Sequence, residues 1–304
     1  MDDSKKDNKF ILGNYLTLNL FMDIVRQKKP VELSNEYISR VNNSRNLVKK
    51  WVEQDKVMYG ITTGFGVNST KTISQNDVIK LQENILITHA TSVGELMTEE
   101  EVRAIMLMVL QNAGMGYSGI RIETLDRYKE FLNRNIIPYV PKEGSVGYLS
   151  PEAHIALTVI GKGKVIENGQ VINCDRVFKQ NNLDKYKLSY KEGLILISGT
   201  TSVTGLAAIG LFDIIKAVKT ADIIGAMTLE VSKGTLRAFD KRLMKIRPHK
   251  QQRNTAENIR KILEDSEIAN KYYNYRLQDA LSIRCIPHNY MVLLKKRYMM
   301  HYGR

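Results

Sequence analysis

The chain has 304 residues, of which 43% are hydrophobic, and a formal net charge of +13. This length can bury a core in one large domain or two ordinary ones, and lysines spread along the whole chain favour a solvated basic surface over a nucleic-acid partner. Only two cysteines occur, which argues against a disulfide scaffold, and the charged N-terminus argues against a secretion signal. No apolar run is long enough to cross a bilayer, which argues against a membrane partner. Together these features predict a cytoplasmic protein.

Helix start signals recur along the chain. Thr98 and Glu101 form a capping box ahead of an apolar stripe with helical spacing. Ser150 and Pro151 have the sequence of an N-cap followed by a proline in the first turn. The pattern predicts helices opening at Ser74, running from Thr98 to a stop at Gly114, from Ser150 to Gly161, after Thr200, and from about Thr255 to Leu263.

Two further patterns shape the fold prediction. Residues 203–224 are mostly apolar on every side, which predicts a helix at the centre of a bundle, covered by partners. Asn168-Gly169 lies between short β-branched runs and predicts a type I′ hairpin. The sequence therefore predicts a mainly α protein with a small β-hairpin element.

Five short motifs resemble those of a known family. They lie at residues 59–66 (Tyr-Gly-Ile-Thr-Thr-Gly-Phe-Gly), 88–95 (Thr-His-Ala, ending Gly-Glu), 116–121 (Gly-Tyr-Ser-Gly-Ile-Arg), 191–200 (Lys-Glu-Gly-Leu, ending Gly-Thr) and 278–285 (Gln-Asp, ending Ser-Ile-Arg-Cys). In this order they resemble the tyrosine loop and later motifs of the aromatic amino acid lyase family, histidine ammonia-lyase group. The resemblance implies a histidine/phenylalanine ammonia-lyase-like helical bundle and a homotetramer whose active sites combine several subunits. It also implies elimination of an amine from an imidazole amino acid to give an acrylate such as urocanate.

The resemblance also implies roles for single residues. Tyr59 would remove the β-proton of the substrate; a phenol is a weak acid, so this base needs nearby cations or backbone donors. His89 would line the pocket for the substrate ring. Arg284 would bind the substrate carboxylate through its planar guanidinium, with Gln278 as a polar contact nearby. His154 is predicted to pack rather than catalyse.

The sequence departs from the family where its electrophile is made. The family cyclises an internal Ala-Ser-Gly into a methylidene-imidazolone, but here Gly147 is followed directly by Tyr148. From this gap we expect no such cofactor. Two support positions also differ: Ser198 stands where the family has asparagine, and Leu281 where it has tyrosine. No metal is expected, since His249, His288 and His301 show no metal-ligand spacing.

These departures narrow the expected substrate. An amine that is already quaternised leaves as a neutral molecule, so a betaine needs less help from an electrophile. The resemblance therefore points to the ergothionase branch, which releases trimethylamine from ergothioneine or histidine betaine. Tyr148 would then either face the trimethylammonium in a cation–π contact or serve as a packing residue, and Ser198 would lie in the pocket. The alternatives are a catalytically inactive homologue and an ordinary histidine ammonia-lyase.

The predicted organisation has three parts. Residues 1–200 form the N-terminal lyase domain, residues 201–288 begin the central bundle, and residues 289–304 form a basic tail. The resemblance runs to Pro287, whereas chains of the family continue well beyond that point. Back-translation of the tail, read one base earlier, can give a family-like His-Gly-Ala stretch. We therefore predict that residues 289–304 arise from a shifted reading frame and that the 304-residue product is inactive alone.

Overall fold

The computed structural model describes residues 9–13, 15–66, 73, 75–145, 149–246 and 249–289. The chain divides into two compact units, Met1–Gly210 and Leu211–Arg304, called the first and second unit below. Each unit has its own buried core.

Helices make up most of the first unit. They are α1 (Leu18–Arg26), α2 (Asn35–Glu53), α3 (Gln75–His89), α4 (Glu99–Ala113), α5 (Ile122–Asn133), α6 (Ser150–Val159), α7 (Cys174–Gln180), α8 (Glu192–Ile197) and the first residues of α9 (Thr201–Val231). The predicted opening of α3 at Ser74 lies outside the described residues, and α1, α2 and α5 are helices that the start signals had not indicated.

Short strands connect these helices. They are β1 (Phe10–Leu12), β2 (Val31–Leu33), β3 (Val93–Leu96), β4 (Ile137–Pro138), β5 (Pro141–Glu143), β6 (Lys164–Glu167) and β7 (Gln170–Asn173). β1 pairs with β2 in parallel, β3 with β5 antiparallel, and β4-β6-β7 form a three-stranded antiparallel sheet. Asn168 (φ +51°) and Gly169 (φ +75°) both have positive φ, so the predicted type I′ hairpin between β6 and β7 is confirmed.

Two of the predicted helix starts depend on a capping side chain. Thr98 Oγ1 accepts from Glu101 N at 3.2 Å, and Glu101 Oε2 accepts from Thr98 N at 2.7 Å, which confirms the capping box of α4. The prediction of Ser150 as an N-cap is wrong by one residue, because the cap is Leu149 with φ +79°. The cause is tertiary: Ser150 Oγ accepts from Ser92 N at 3.1 Å and lies 2.6 Å from Ser92 Oγ.

A buried arginine organises the core of the first unit. Arg103 on α4 donates to the carbonyls of Ile24 (2.7 Å) and Val25 (3.0 Å) at the end of α1. It also donates to Leu132 O (2.8 Å) and Asn135 Oδ1 (2.7 Å) at the end of α5. The cation therefore satisfies carbonyls that the ends of two helices leave without intrahelical donors.

Helix α9 keeps much of its apolar surface exposed. Val203, Ile214, Ile224 and Met227 are each about half exposed or more. Among the described residues, one helical stretch, Glu192–Val231, is long and apolar enough to span a membrane by length and composition, with 28% of its most apolar window buried. The prediction that no segment reaches that length is therefore wrong, although the core helix of a soluble protein passes the same test.

The second unit is built around the end of α9. Its other helices are α10 (Lys241–Lys245), α11 (Lys250–Ile262), α12 (Glu267–Lys271), α13 (Leu281–Arg284) and α14 (Ile286–Asn289), with a 3₁₀ turn at Leu236–Phe239. Its buried core consists of Ala226, Leu229, Phe239, Met244, Ala256, Ile259, Leu263 and Ala269. The helix predicted from about Thr255 begins earlier, at Lys250.

Candidate functional site

Tyr59 lies on the turn between α2 and α3. The residue is 56% exposed, and its ring meets the Phe65 ring edge-on, with 6.2 Å between centroids. Gly66 N donates to its hydroxyl oxygen at 3.4 Å. A backbone donor therefore reaches the phenol while its ring stays open to a small molecule.

Threonine hydroxyls hold this turn in shape. Thr62 Oγ1 accepts from Met58 N at 2.9 Å and donates to Lys56 O at 2.6 Å. Thr63 Oγ1 accepts from Gly60 N at 3.3 Å. These bonds give the loop backbone the partners that a regular element would otherwise supply.

The glycine after Tyr59 is required by close packing. Gly60 has φ +67°, and a Cβ there would lie 2.5 Å from Leu194 Cδ2 of α8. The next residue, Ile61, is buried in a small cluster with Val48 and Val52 of α2. The loop that carries Tyr59 is therefore seated on α2 and α8.

His89 is the last residue of α3. Its Nδ1 lies 2.7 Å from Ile85 O and 3.2 Å from Thr88 Oγ1. A carbonyl oxygen can only accept, so in the neutral ring the proton sits on Nδ1 and Nε2 is the acceptor. The ring is half-buried and is therefore oriented by its own helix.

Ser198 is exposed and follows α8, whose first residue is a fully buried glutamate. Glu192 Oε1 accepts from Arg121 N (3.1 Å) and Thr124 Oγ1 (2.6 Å). Its Oε2 accepts from Arg121 Nε (3.0 Å), Arg121 Nη2 (2.6 Å) and Ser189 N (2.7 Å). This carboxylate fixes the start of the short helix that precedes Ser198.

A second buried carboxylate joins α6 to the beginning of α9. Glu152 Oε1 accepts from Thr201 Oγ1 at 2.8 Å and from Ser202 N at 2.9 Å. A negative charge at the N-terminus of a helix is favoured by the helix dipole. Tyr148, which precedes α6, lies outside the described residues.

His154 on α6 is placed as a packing residue. Its ring meets Tyr139 edge-on, with 6.2 Å between centroids. Burial, and then the charge of Lys164, lower the pKa of His154 below its ordinary 6.5. Its Nε2 is buried and has no hydrogen-bond partner among the described residues. No group of three potential metal ligands occurs among those residues either.

Gln278 and Arg284 meet in a pocket of the second unit. The pocket has a volume of about 620 Å³, and its lining includes Thr235, Arg237, Tyr273, Gln278, Asp279 and Arg284. With the Gln278 amide oxygen turned toward Arg284, it accepts from Nη2 at 2.9 Å, from Nε at 3.0 Å and from Nη1 at 3.2 Å. The guanidinium therefore presents its N–H groups to one oxygen acceptor at the pocket wall.

The structure thus places the predicted site residues in separate parts. Tyr59, His89 and Ser198 belong to the first unit, and Gln278 and Arg284 come together in the second. The buried carboxylates of Glu152 and Glu192 were not predicted. Glu192 stood within a recognised motif, whereas no sequence signal distinguished Glu152 from a surface glutamate.

Comparisons with known proteins agree on one family. The model described as aromatic amino acid lyase matches residues 16–296. A histidine ammonia-lyase of Caldanaerobacter subterraneus subsp. tengcongensis is 38% identical over 278 residues, covering 90% of this chain and 55% of that protein. The chain spans about half the length of the curated relatives it matches. The matched range ends inside segment 289–304, for which the reading-frame shift stays a prediction.

Solved structures share the fold. The histidine ammonia-lyase from Trypanosoma cruzi superposes with a TM-score of 0.85 at 30% identity, covering 95% of this chain and 55% of that one. The ergothioneine-degrading ergothionase from Treponema denticola gives a TM-score of 0.81 at 28% identity, covering 96% and 58%. The predicted mainly α, ammonia-lyase-like fold is therefore confirmed.

The expectation of no cofactor is contradicted by these relatives. They are named histidine ammonia-lyases and are 38–40% identical to this chain, and that group normally uses the methylidene-imidazolone. The missing Ala-Ser-Gly between Gly147 and Tyr148 removes the residues that would cyclise at that one place. The sequence similarity to the histidine ammonia-lyases, in contrast, extends over 278 residues. The gap therefore does not establish an enzyme without a cofactor, and residues 146–148 lie outside the described part of the chain.

Shared motifs, a shared fold and a family match over residues 16–296 lead to one conclusion. The chain belongs to the aromatic amino acid lyase family.

Proposed function

We propose that the protein catalyses β-elimination of an amine from an imidazole amino acid or its betaine, giving a urocanate-type acrylate. The observation that carries the proposal is the pairing of Gln278 with Arg284 at the wall of a pocket large enough for such a molecule. The curated relatives are named histidine ammonia-lyases, which supports the reaction class.

Arg284 is proposed to bind the substrate carboxylate. Its three guanidinium nitrogens already face an oxygen acceptor, and a carboxylate offers two oxygens in the geometry of the guanidinium fork. Gln278 would then turn its amide toward the same substrate. Arg237, one of the two further arginines of the lining, adds positive charge that favours an anionic group.

Tyr59 is proposed as the base. Transfer of the substrate's β-proton to the phenolate leaves the C–H electron pair to form the double bond, while the C–N pair departs with the amine. The Gly66 N–H, which donates to the Tyr59 oxygen at 3.4 Å, supports this role because it fixes the place of the hydroxyl. His89 would contact the substrate imidazole through Nε2, since Nδ1 is engaged by Ile85 O.

A trimethylated substrate is the favoured member of this class. A quaternary nitrogen leaves as neutral trimethylamine, which lowers the demand on any electrophile at the site. Ser198 and Leu281 differ from the family's residues at two positions that the resemblance links to electrophile support. The likeness to ergothionase supports the same substrate class. Tyr148 stays a predicted cation–π contact for the trimethylammonium.

The test is turnover by the protein at its natural length. Histidine, histidine betaine and ergothioneine are supplied in parallel, and ammonia, trimethylamine and the acrylate chromophore are measured. We expect trimethylamine release to exceed ammonia release. Efficient deamination of histidine would overturn the betaine assignment, and no release from any of the three would favour an inactive homologue.

Variants assign the roles. Tyr59→Phe should abolish elimination while substrate still binds, and Arg284→Lys should mainly raise KM. Tyr117→Phe is the matched control, since Tyr117 is another exposed tyrosine of the first unit, 87% exposed. Undiminished turnover in Tyr59→Phe would remove it from the mechanism.

We also propose self-association in the cytoplasm. The half-exposed apolar residues of α9, such as Ile214 and Met227, support burial against further copies of the protein. Light scattering coupled to size exclusion should show a homo-oligomer in the soluble fraction. Recovery of the protein only from membranes would contradict this assignment, as would a monodisperse monomer.

A further inference from the structure

The segment that carries Gln278 and Arg284 is fixed to the turn after α9 by a buried aspartate. Asp279 is 6% exposed, and its Oδ2 accepts from Thr235 N at 2.6 Å. The Thr235 hydroxyl donates to Tyr273 O at 2.9 Å, so one threonine holds both ends of segment 273–279. All of these residues line or border the same pocket.

The bond at Asp279 is of the strong kind. The contact is 2.6 Å long, and burial of the acceptor excludes water that would compete for the Thr235 N–H. Gly234 allows the close approach: a Cβ there would lie 2.4 Å from Leu229 Cδ1 and 3.3 Å from Asp279 Oδ2.

Asp279 anchors the backbone of segment 273–279 and does not serve as a counter-ion of Arg284. Among the described residues, no ion pair joins it to Arg284, whose guanidinium faces Gln278 instead. Its Oδ1 is buried and has no hydrogen-bond partner among those residues. A buried acceptor oxygen without a partner is costly.

We propose that Asp279 is a positioning residue for carboxylate binding: by anchoring segment 273–279 to Thr235, it sets the place of Gln278 and the direction of Arg284. This inference rests on the proposed role of Arg284 as carboxylate ligand. It assigns Asp279 no contact with substrate.

The first measurement needs no substrate. The Nε–Hε NMR signal of Arg284, assigned by its loss in Arg284→Lys, reports the guanidinium environment in the protein. Asp279→Ala should shift this signal and speed exchange of the Thr235 amide proton. Asp279→Asn keeps an oxygen acceptor and should leave both near their original values. Glu257→Ala removes a carboxylate of the second unit that lies outside the pocket lining and pairs with Lys261 at 2.9 Å, and it serves as the matched control.

The second measurement is binding of urocanate by calorimetry. Asp279→Ala should weaken binding about tenfold or more, since a misdirected guanidinium loses a charge-assisted contact. Asp279→Asn should stay within about threefold of the original protein. If the alanine variant does not fold, Asp279→Glu, whose carboxylate is displaced by one methylene, should give the same shifted signal and weaker binding.

The outcomes separate the inference from the function it rests on. If the chemical shift of the Arg284 Nε–Hε signal is unchanged in Asp279→Ala or Asp279→Glu, the positioning role is overturned, whether or not urocanate binds. An asparagine variant as impaired as the alanine variant also overturns it, because charge and not anchoring would then matter. A signal that moves as expected in a protein that binds no urocanate supports the positioning role and counts against the proposed function.

Discussion

Glu192 offers the sharpest test of how the first unit is held together. The fully buried carboxylate accepts five hydrogen bonds, two at Oε1 and three at Oε2, from Arg121, Thr124 and Ser189. Glu192→Gln keeps the shape of the side chain but replaces one oxygen by an NH₂ group. In either orientation that group faces at least two donors, and the charge that pairs with Arg121 is lost.

The cost follows from these contacts. Removing one partner of a buried ion pair costs about 3–5 kcal/mol. The Arg121 side chain is 27% exposed and can regain some water, so we expect the lower end of that range, about 3 kcal/mol. For a unit of this size, each kcal/mol lowers the melting temperature by about 2–4 °C, which gives roughly 6–12 °C.

Thermal unfolding followed by circular dichroism measures this effect. Glu130→Gln is the control, because Glu130 pairs with Arg134 at 2.6 Å on the surface of α5 and should cost under about 1 kcal/mol. The reasoning is refuted if Glu192→Gln melts within about 2 °C of the original protein. A double replacement of Glu192 and Arg121 by uncharged residues should lose less than the sum of the two single changes.

Four further predictions concern stability and the tyrosine loop. Arg103→Met should cost about 3 kcal/mol or more in urea unfolding, because buried carbonyls at two helix ends lose their donor. Thr98→Ala should cost about 1 kcal/mol in the same assay by removing the cap of α4. Gly60→Ala should destabilise the Tyr59 loop and lower turnover, because φ is +67° and Leu194 leaves no space. The pKa of His154 is lowered by burial, so the folded protein binds protons less readily than the unfolded chain, and stability should fall as pH drops below about 6.5. His154→Phe should flatten that dependence.

Each of these has an outcome that contradicts it. A tolerated Arg103→Met would mean that water replaces the guanidinium at the helix ends. An unchanged midpoint in Thr98→Ala would show that the other contacts of α4 make the cap redundant. Full turnover in Gly60→Ala would separate loop geometry from activity. A melting temperature with the same pH profile in His154→Phe would assign the titration to another group.

Local sequence signals were reliable where the interaction itself is local. The Thr98–Glu101 capping box and the Asn168-Gly169 turn each depend on residues within four positions, so the sequence was enough to predict them. Ser150 shows the limit. Its hydroxyl could cap α6, but Ser92, 58 positions away in sequence, takes it instead.

For the candidate site, too, the sequence was informative where the signal is a short local motif. Motif spacing singled out Tyr59, His89 and Arg284, because each lies in a short recognisable run. Membership of the family followed from those runs and was confirmed by comparison. The absence of one triplet was read as the absence of a cofactor, and that inference did not hold against the relatives.

By itself, the sequence determined the family, the helical class and the hairpin, because these follow from spacing along the chain. Tertiary structure alone decided which polar groups are buried and what they hold. Glu152 has nothing in sequence to distinguish it from a solvated glutamate, and the motif that contains Glu192 did not indicate burial. Each is nevertheless buried and joins segments about 50 to 70 positions apart. A buried carboxylate persists only where distant donors converge on it, and that convergence is a property of the folded chain.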